Sequence, residues 1–154
     1  MDSNLKKFNK TVFDFVQEIK NLFEETDKDI ENIETFYEMT KFNVRAIMGP
    51  FQTYILKKTS FAKYIMEEDV DYFMEFNFDE IISTDSPYFK YAKSLISKFR
   101  EVIQKYMKED RKIVKSMFEW FKLMTFYAAS DLKIELNEIM GIPSEKYDTT
   151  TSIS

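Results

Sequence analysis

Apolar side chains recur at alternating spacings of three and four residues along nearly the whole of this 154-residue chain. This spacing places them on one face of a helix, so the pattern is typical of successive amphipathic helices rather than of strands. The chain has only two glycines and three prolines, too few for the many turns of an all-β fold. The pattern therefore predicts an all-α fold, a single-domain bundle of about six or seven helices with short connections.

Capping residues mark the expected ends of the first helices. The first helix is predicted over about 4–25, and Thr26-Asp27 breaks the chain and caps the next helix. We expect this second helix to continue to Gly49, which would take the left-handed position after the helix. Pro50 fits the first position of a third helix, because its missing N–H has no partner there in any case.

Later caps predict the second half of the bundle. A short helix follows the acidic start Glu67-Glu68-Asp69, Ser86-Pro87 begins one that runs to about residue 108, and Asp110 caps the following helix. That helix is apolar nearly all round, which is typical of a central, buried helix. Gly141 and Pro143 then stop a last helix. We assign residues 1–143 to the helical domain and residues 144–154 to a disordered polar tail.

The absence of cysteine and histidine excludes much of enzyme chemistry. Without them there is no thiolate nucleophile, no Ser–His or Cys–His pair and no cysteine-based zinc site. Among 27 acidic residues some carboxylate pairs arise by coincidence, and the two isolated glycines form no phosphate loop. We predict a protein that is not an enzyme, with no catalytic residue, metal, cofactor or small-molecule substrate.

The net charge of −5 divides into two stretches of opposite sign. The acidic segment, residues 67–85, has eight acids and no Lys or Arg, whereas the basic stretch, residues 88–115, has nine Lys or Arg against three acids. The acidic segment lacks the glycine of a calcium loop, which leaves a solvated surface or a docking face for a basic partner. The basic stretch could follow phosphates, but pairing with the acidic segment, within or between molecules, explains it more simply. We therefore favour protein partners over nucleic acid.

The candidate partner interface combines these two stretches with their aromatic neighbours. Its residues are Asp69, Asp71, Tyr72, Glu75 and Phe76 on the acidic side, and Lys98, Arg100, Lys105 and Arg111 on the basic side. The 17% aromatic content leaves two interpretations open, a bulky core or an interface beyond the core.

No segment predicts export or membrane insertion. The first nine residues include Asp2, Lys6 and Lys7 and are not followed by an apolar run, so we expect no signal peptide. The longest apolar run, residues 123–129, is far shorter than the roughly 20 residues that span a bilayer.

Three stretches carry a resemblance to a known group of proteins. The first is Leu5–Lys10 with Phe13–Val16 and Asn21–Phe23, the second is Glu67–Met74, and the third is Met117–Met124. In this order and spacing, over roughly residues 5–129, the chain resembles a small all-helical family of unassigned activity found in nucleocytoplasmic large DNA viruses. At position 24 this chain has Glu24, where such sequences often have a proline. This difference concerns the connection after the first helix rather than the fold.

The resemblance implies a virus-encoded protein, carried in the particle or present in the host cytoplasm, and it transfers no active-site residue. The hypothesis is a non-enzymatic structural or interaction protein, a minor capsid or other virion component whose partners are virion proteins or itself. The alternative is a viral regulator that binds a host helix in a groove, as Bcl-2-like proteins do. Against it, Trp120 lies in Glu-Trp-Phe rather than in the motif of that family. A helical nucleic-acid-binding protein is the third possibility.

Overall fold

The computed structural model describes residues 3–57, 61–80 and 82–139, and the regular structure within these ranges is entirely helical. The described α-helices are α1 (Ser3–Leu22), α2 (Lys28–Glu38), α3 (Met48–Phe51), α4 (Phe61–Met66), α5 (Val70–Glu75), α6 (Phe89–Tyr106), α7 (Arg111–Asp131) and α8 (Leu136–Ile139). Single turns of other helix types lie at Met39–Lys41 and Phe78–Glu80, which are 3₁₀, and at Gln52–Leu56, which is π-helical. The predicted all-α fold is confirmed, with eight described α-helices where six or seven were expected.

The two longest helices, α1 and α7, form the centre of the bundle. Phe15 packs against Phe121, and Glu18 accepts a hydrogen bond from Ser116, so the two helices run antiparallel. The α7 helix also packs against α4 and α6, as predicted for the most apolar helix. Two of its large side chains nevertheless face outward, since Leu123 is 38% exposed and Phe126 is 45% exposed.

A second antiparallel pair, α2 and α6, packs beside the first. Asn32 donates a hydrogen bond to Ser94, and Phe36 stacks on Tyr91 with ring centroids 5.0 Å apart. The buried side chains of both pairs join in one continuous cluster that extends from Leu5 on α1 to Ala128 on α7. One hydrophobic core therefore serves all the long helices.

Two of the predicted caps, Asp27 and Asp110, are confirmed, and Asp69 caps α5 in the same way. The side chain of Asp27 accepts a hydrogen bond from the N–H of Ile30, that of Asp69 from Tyr72, and that of Asp110 from Lys112. Each bond satisfies a donor that the first turn of a helix leaves unpaired, which is why these positions could be found from sequence. The Ser86 hydroxyl accepts from the N–H of Tyr88, but there a turn precedes the helix, which begins at Phe89.

The prediction that the second helix continues to Gly49 is wrong. The α2 helix ends at Glu38, and Thr40 then donates its hydroxyl hydrogen to the carbonyl of Tyr37. Next, the Asn43 side chain accepts from the N–H of Arg45, and such local side-chain bonds compete with the helical ladder. Gly49 lies inside α3 and not in the left-handed region, so its role as a helix stop is not observed.

The predicted third helix is divided in the structure. Pro50 lies in the first turn of α3, where its missing N–H costs no hydrogen bond, and a π-helical turn follows at Gln52–Leu56. The second part of this stretch forms α4. Gly141, Pro143 and the tail at 144–154 lie outside the described residues.

Candidate interaction surfaces

Only part of the predicted acidic side is exposed. Asp71 and Glu75 point to solvent from α5, whereas Asp69 is half-buried and serves as the cap of that helix. Tyr72 and Phe76 are also half-buried and stack on each other with ring centroids 5.3 Å apart. The aromatic members of the predicted interface therefore contribute mainly to internal packing.

Arg100 connects the basic stretch to the acidic segment through main-chain carbonyls. Its guanidinium donates to the carbonyl of Phe73 at 2.7 Å and to that of Phe76 at 2.8 Å, at the end of α5. It also lies over the Phe76 ring, 4.8 Å from the centroid. Burial lowers the pKa of Arg100 below its ordinary value, and a guanidinium stays charged at neutral pH. Arg100 thus joins the two stretches, but it does so through carbonyl oxygens and not through the expected pairing with an acidic side chain.

Replacing Arg100 by alanine is expected to lower the free energy of unfolding by about 2 kcal/mol, because two carbonyls lose a charged donor. Arg111→Ala is the matched control, since Arg111 is exposed, and it should change the stability by no more than about 0.5 kcal/mol. Urea denaturation of both variants measures the difference. Equal effects of the two substitutions would show that the carbonyl contacts contribute nothing.

Lys98 is buried and therefore offers no surface to a partner, contrary to its predicted place in the interface. Its side chain is 2% exposed, and its ammonium pairs with Asp27 and, at 2.9 Å, with Glu101. Burial acts to lower the pKa of Lys98, but the two carboxylates outweigh it and raise the pKa above its ordinary value. The same contact, together with the Ile30 N–H, outweighs the effect of burial on Asp27 and lowers its pKa. Lys98 thus fixes the start of α2 against α6.

Lys98 also contacts a group of carboxylates that have the spacing of a cation site. Oxygens of Asp27, Asp29 and Glu101 lie within 4.8 Å of one another. The ammonium of Lys98 contacts two of the three, and Asp29 accepts a hydrogen bond from the Ser94 hydroxyl. The ammonium of Lys98 thus offsets one of the three negative charges of the group.

Glu68 connects the acidic segment to α7. Its carboxylate pairs with Lys122 and, at 3.3 Å, with Lys115, although its backbone has a positive φ of 54° that is unusual for a residue other than glycine. The hydrogen bond from Lys122 is the main cause that lowers the pKa of Glu68 below its ordinary value of 4.5. Part of the acidic segment is thus neutralised within the molecule.

The Glu68 contact predicts a dependence of stability on pH. Glu68→Gln is expected to lower the free energy of unfolding at pH 7 by about 1 kcal/mol, the upper range for accessible ion pairs. Because the pKa of Glu68 is lowered in the folded protein, the contact stabilises the fold fully above pH 4.5. This contribution is lost as the pH falls through the pKa that Glu68 has in the folded state. The difference between wild type and variant should therefore disappear in acid. Urea titrations between pH 2 and pH 7 test this, with exposed Glu109→Gln as the control, and a difference that does not change with pH would contradict it.

A surface that the charge pattern did not indicate lies at residues 42–45, the Phe42 loop. Its main chain is anchored to α1, because Asn9 donates its side-chain amide to the Val44 carbonyl at 2.9 Å. It is anchored to α7 by Arg45, whose guanidinium binds both carboxylate oxygens of Asp131 at 2.9–3.2 Å. At the start of the loop, the N–H of Phe42 donates to the carbonyl of Met39 in the preceding 3₁₀ turn at 3.1 Å. These bonds hold the loop against two helices of the core.

The Phe42 loop nevertheless exposes its apolar side chains. Phe42 is 92% exposed and Val44 is 40% exposed. Burying a phenylalanine contributes roughly 1.5–3 kcal/mol relative to leaving it in water. The sequence did not predict that Phe42 is exposed, because the helical spacing continues through Thr40 and Val44. The sequence signal for a loop at this position is Asn43, which favours turns over helix.

The remaining predicted basic residues are exposed, but they do not form a continuous stripe. Lys105 and Arg111 face solvent at the end of α6 and the start of α7. Lys98 and Arg100, which would join them into a row along α6, make the internal contacts described above. Of the aromatic side chains, Phe36 is buried in the core whereas Phe13 is 38% exposed.

An apolar cavity of about 100 Å³ lies in the middle of the bundle. Its walls come from every long helix, from the π-helical turn and from the 78–88 connection. A helix is about 10–12 Å across with its side chains, so a cavity of this volume is too small to enclose one.

The chain was compared with known proteins, and no family model, curated protein or solved structure matches it. Among the helices at 3–57, 61–80 and 82–139, none combines the length and the apolar character needed to cross a membrane.

Proposed function

We propose that this protein is a non-enzymatic interaction protein that docks onto another protein subunit through the Phe42 loop. The observation that carries the proposal is the 92% exposure of Phe42 on a loop fixed by hydrogen bonds and an ion pair. A fixed loop loses little conformational entropy when it binds, so the free energy of covering Phe42 is available for affinity. The partner would provide an apolar socket of the kind that large aromatic residues fill in protein interfaces.

We further propose that the partner is a virion protein and that this chain is a minor component of a large DNA virus particle. The support for this step is the resemblance in the three stretches named above, which implies a virus-encoded protein. The exposed charges at Asp71, Glu75, Lys105 and Arg111 would orient the docking rather than add much affinity, because exposed charges act mainly on encounter and register.

Two observations favour this proposal over its alternatives. A helix is about 10–12 Å across with its side chains. A cavity of about 100 Å³ is too small to hold one, which disfavours a regulator that binds a host helix as Bcl-2-like proteins do. Nucleic-acid binding would require the basic stretch to present a row of charges, and Lys98 and Arg100 are committed to contacts within the molecule.

Photo-crosslinking from position 42 tests the docking surface. A benzophenone amino acid in place of Phe42 should form one discrete adduct with a virion protein in assembled particles, and the cross-linked peptide should be rich in apolar residues. The same group at exposed Lys105 is the control and should give a weaker or different adduct. Equal adducts from both positions, adducts with lipid alone, or none from position 42 would overturn the proposal.

A further inference from the structure

The cavity in the core has the properties of a binding site for a thin apolar molecule. Val12 and Val16 of α1, Phe36 of α2, Ile55 of the π-helical turn, Ala92 of α6 and Met124 of α7 all line it. Its described walls are hydrocarbon except for the hydroxyl-bearing rings of Tyr54 and Tyr88. A buried water needs two to four polar partners, which such walls do not supply. The walls therefore favour an apolar occupant over water.

Polar bonds hold the wall that is formed by the π-helical turn. The buried amide of Gln52 donates to the carbonyl of Ala128 at 3.1 Å and to the carboxylate of Asp131 at 2.8 Å. These bonds tie the first residue of the π turn to α7, and π-helical turns occur frequently at functional sites. By fixing this wall to α7, the bonds of Gln52 help to keep the cavity open.

The cavity also approaches solvent on one side. Pro50, Tyr54, Tyr88 and Ala92 are half-buried, whereas Phe15, Val16 and Ile65 on other walls are buried. A molecule could therefore enter without unfolding of the bundle, and a polar end group could stay near the half-buried residues.

We propose that this cavity binds a short alkyl chain, with the chain inside and any polar end group toward solvent. This goes beyond the proposed docking function and does not depend on it. Apolar cavities of about 150 Å³ accept benzene, so a cavity of about 100 Å³ has room on the order of four carbon atoms. Each methylene that enters the cavity should tighten binding by about fourfold, and methylenes beyond that length should add little.

The test uses the 1-alkanols from methanol to octanol as probes and methyl NMR of the protein labelled at the methionine methyl groups. Met124 lines the cavity and Met107 does not, so the two signals report on the site and on nonspecific effects in the same sample. We expect saturable shifts at Met124, with an affinity that rises about fourfold per methylene to around butanol or pentanol and then levels off. Shifts of equal size at both methyl groups, or an affinity that rises through octanol, would overturn the proposal.

Two variants change the cavity in opposite directions. Ala92→Leu fills the cavity and should abolish the Met124 shifts. Leu95→Ala enlarges the cavity, so the affinity should go on rising to longer alkanols before it levels off. Lys93→Leu adds the same side chain at an exposed position of α6 and should leave the wild-type behaviour unchanged. If Ala92→Leu fails to fold, Leu95→Ala still decides, because an unchanged chain-length limit in that variant would contradict binding in this cavity.

Discussion

Replacing Lys98 by alanine is expected to lower the free energy of unfolding by about 3 kcal/mol, the largest stability effect among the charged residues considered above. The side chain is 2% exposed, and its ammonium lies 4.2 Å from the centroid of the Phe23 ring. Truncation removes the buried methylenes, and it also removes the cation that Asp27 and Glu101 share. Loss of this contact loosens the cap of α2 from α6.

Two further substitutions separate the packing of Lys98 from its charge. Lys98→Met keeps the apolar stem and removes the ammonium, so we expect a loss of about 1 kcal/mol. Lys105→Ala is the control at an exposed position of the same helix, with an expected change within about 0.5 kcal/mol. Urea denaturation at pH 7 measures all three. If Lys98→Ala is as mild as Lys105→Ala, the ammonium must reach solvent and the ion pairs with Asp27 and Glu101 are not formed.

Phe42→Asp should weaken association with the docking partner by at least about 30-fold while leaving the folded protein intact. The side chain is 92% exposed, so its replacement should change the free energy of unfolding by no more than about 0.5 kcal/mol. In the complex, however, the aspartate would place an unpaired charge in an apolar socket.

The affinity measurement uses the virion protein identified by cross-linking from position 42, titrated against wild type and variants. Phe42→Leu is the matched control, because it keeps an apolar side chain and should retain binding within about fivefold. Unchanged affinity in Phe42→Asp would remove the Phe42 loop from the interface. Thermal unfolding of the same samples shows whether any loss of affinity comes from misfolding.

Sequence reasoning succeeded where the deciding physics is local. The caps at Asp27 and Asp110 depend on a side-chain oxygen and an N–H two or three residues away, so neighbouring positions contain the information. The amphipathic period of α1 and α6 likewise follows from spacing within one helix. The fold class follows from such local signals taken together.

The same reasoning failed where the deciding contact is distant in sequence. Lys98 resembles its exposed neighbours in the basic stretch, and its burial depends on where the α1–α2 connection places Asp27, 71 positions earlier. Phe42 is separated from the helical pattern because Thr40 and Asn43 bond to the nearby main chain, and its loop is fixed by Asp131 from the far end of α7. Charge pattern alone could not distinguish Lys98 from Lys105 or Arg111.

The proposed function rests on incorporation into a particle through the Phe42 loop, and quantitative mass spectrometry of purified virions tests it most directly. We predict that virions contain the wild-type protein at many copies, contain Phe42→Leu at similar levels, and contain Phe42→Asp at least tenfold less although infected cells hold equal amounts. Absence of the wild-type protein from the particles, or equal incorporation of Phe42→Asp, would contradict the proposal.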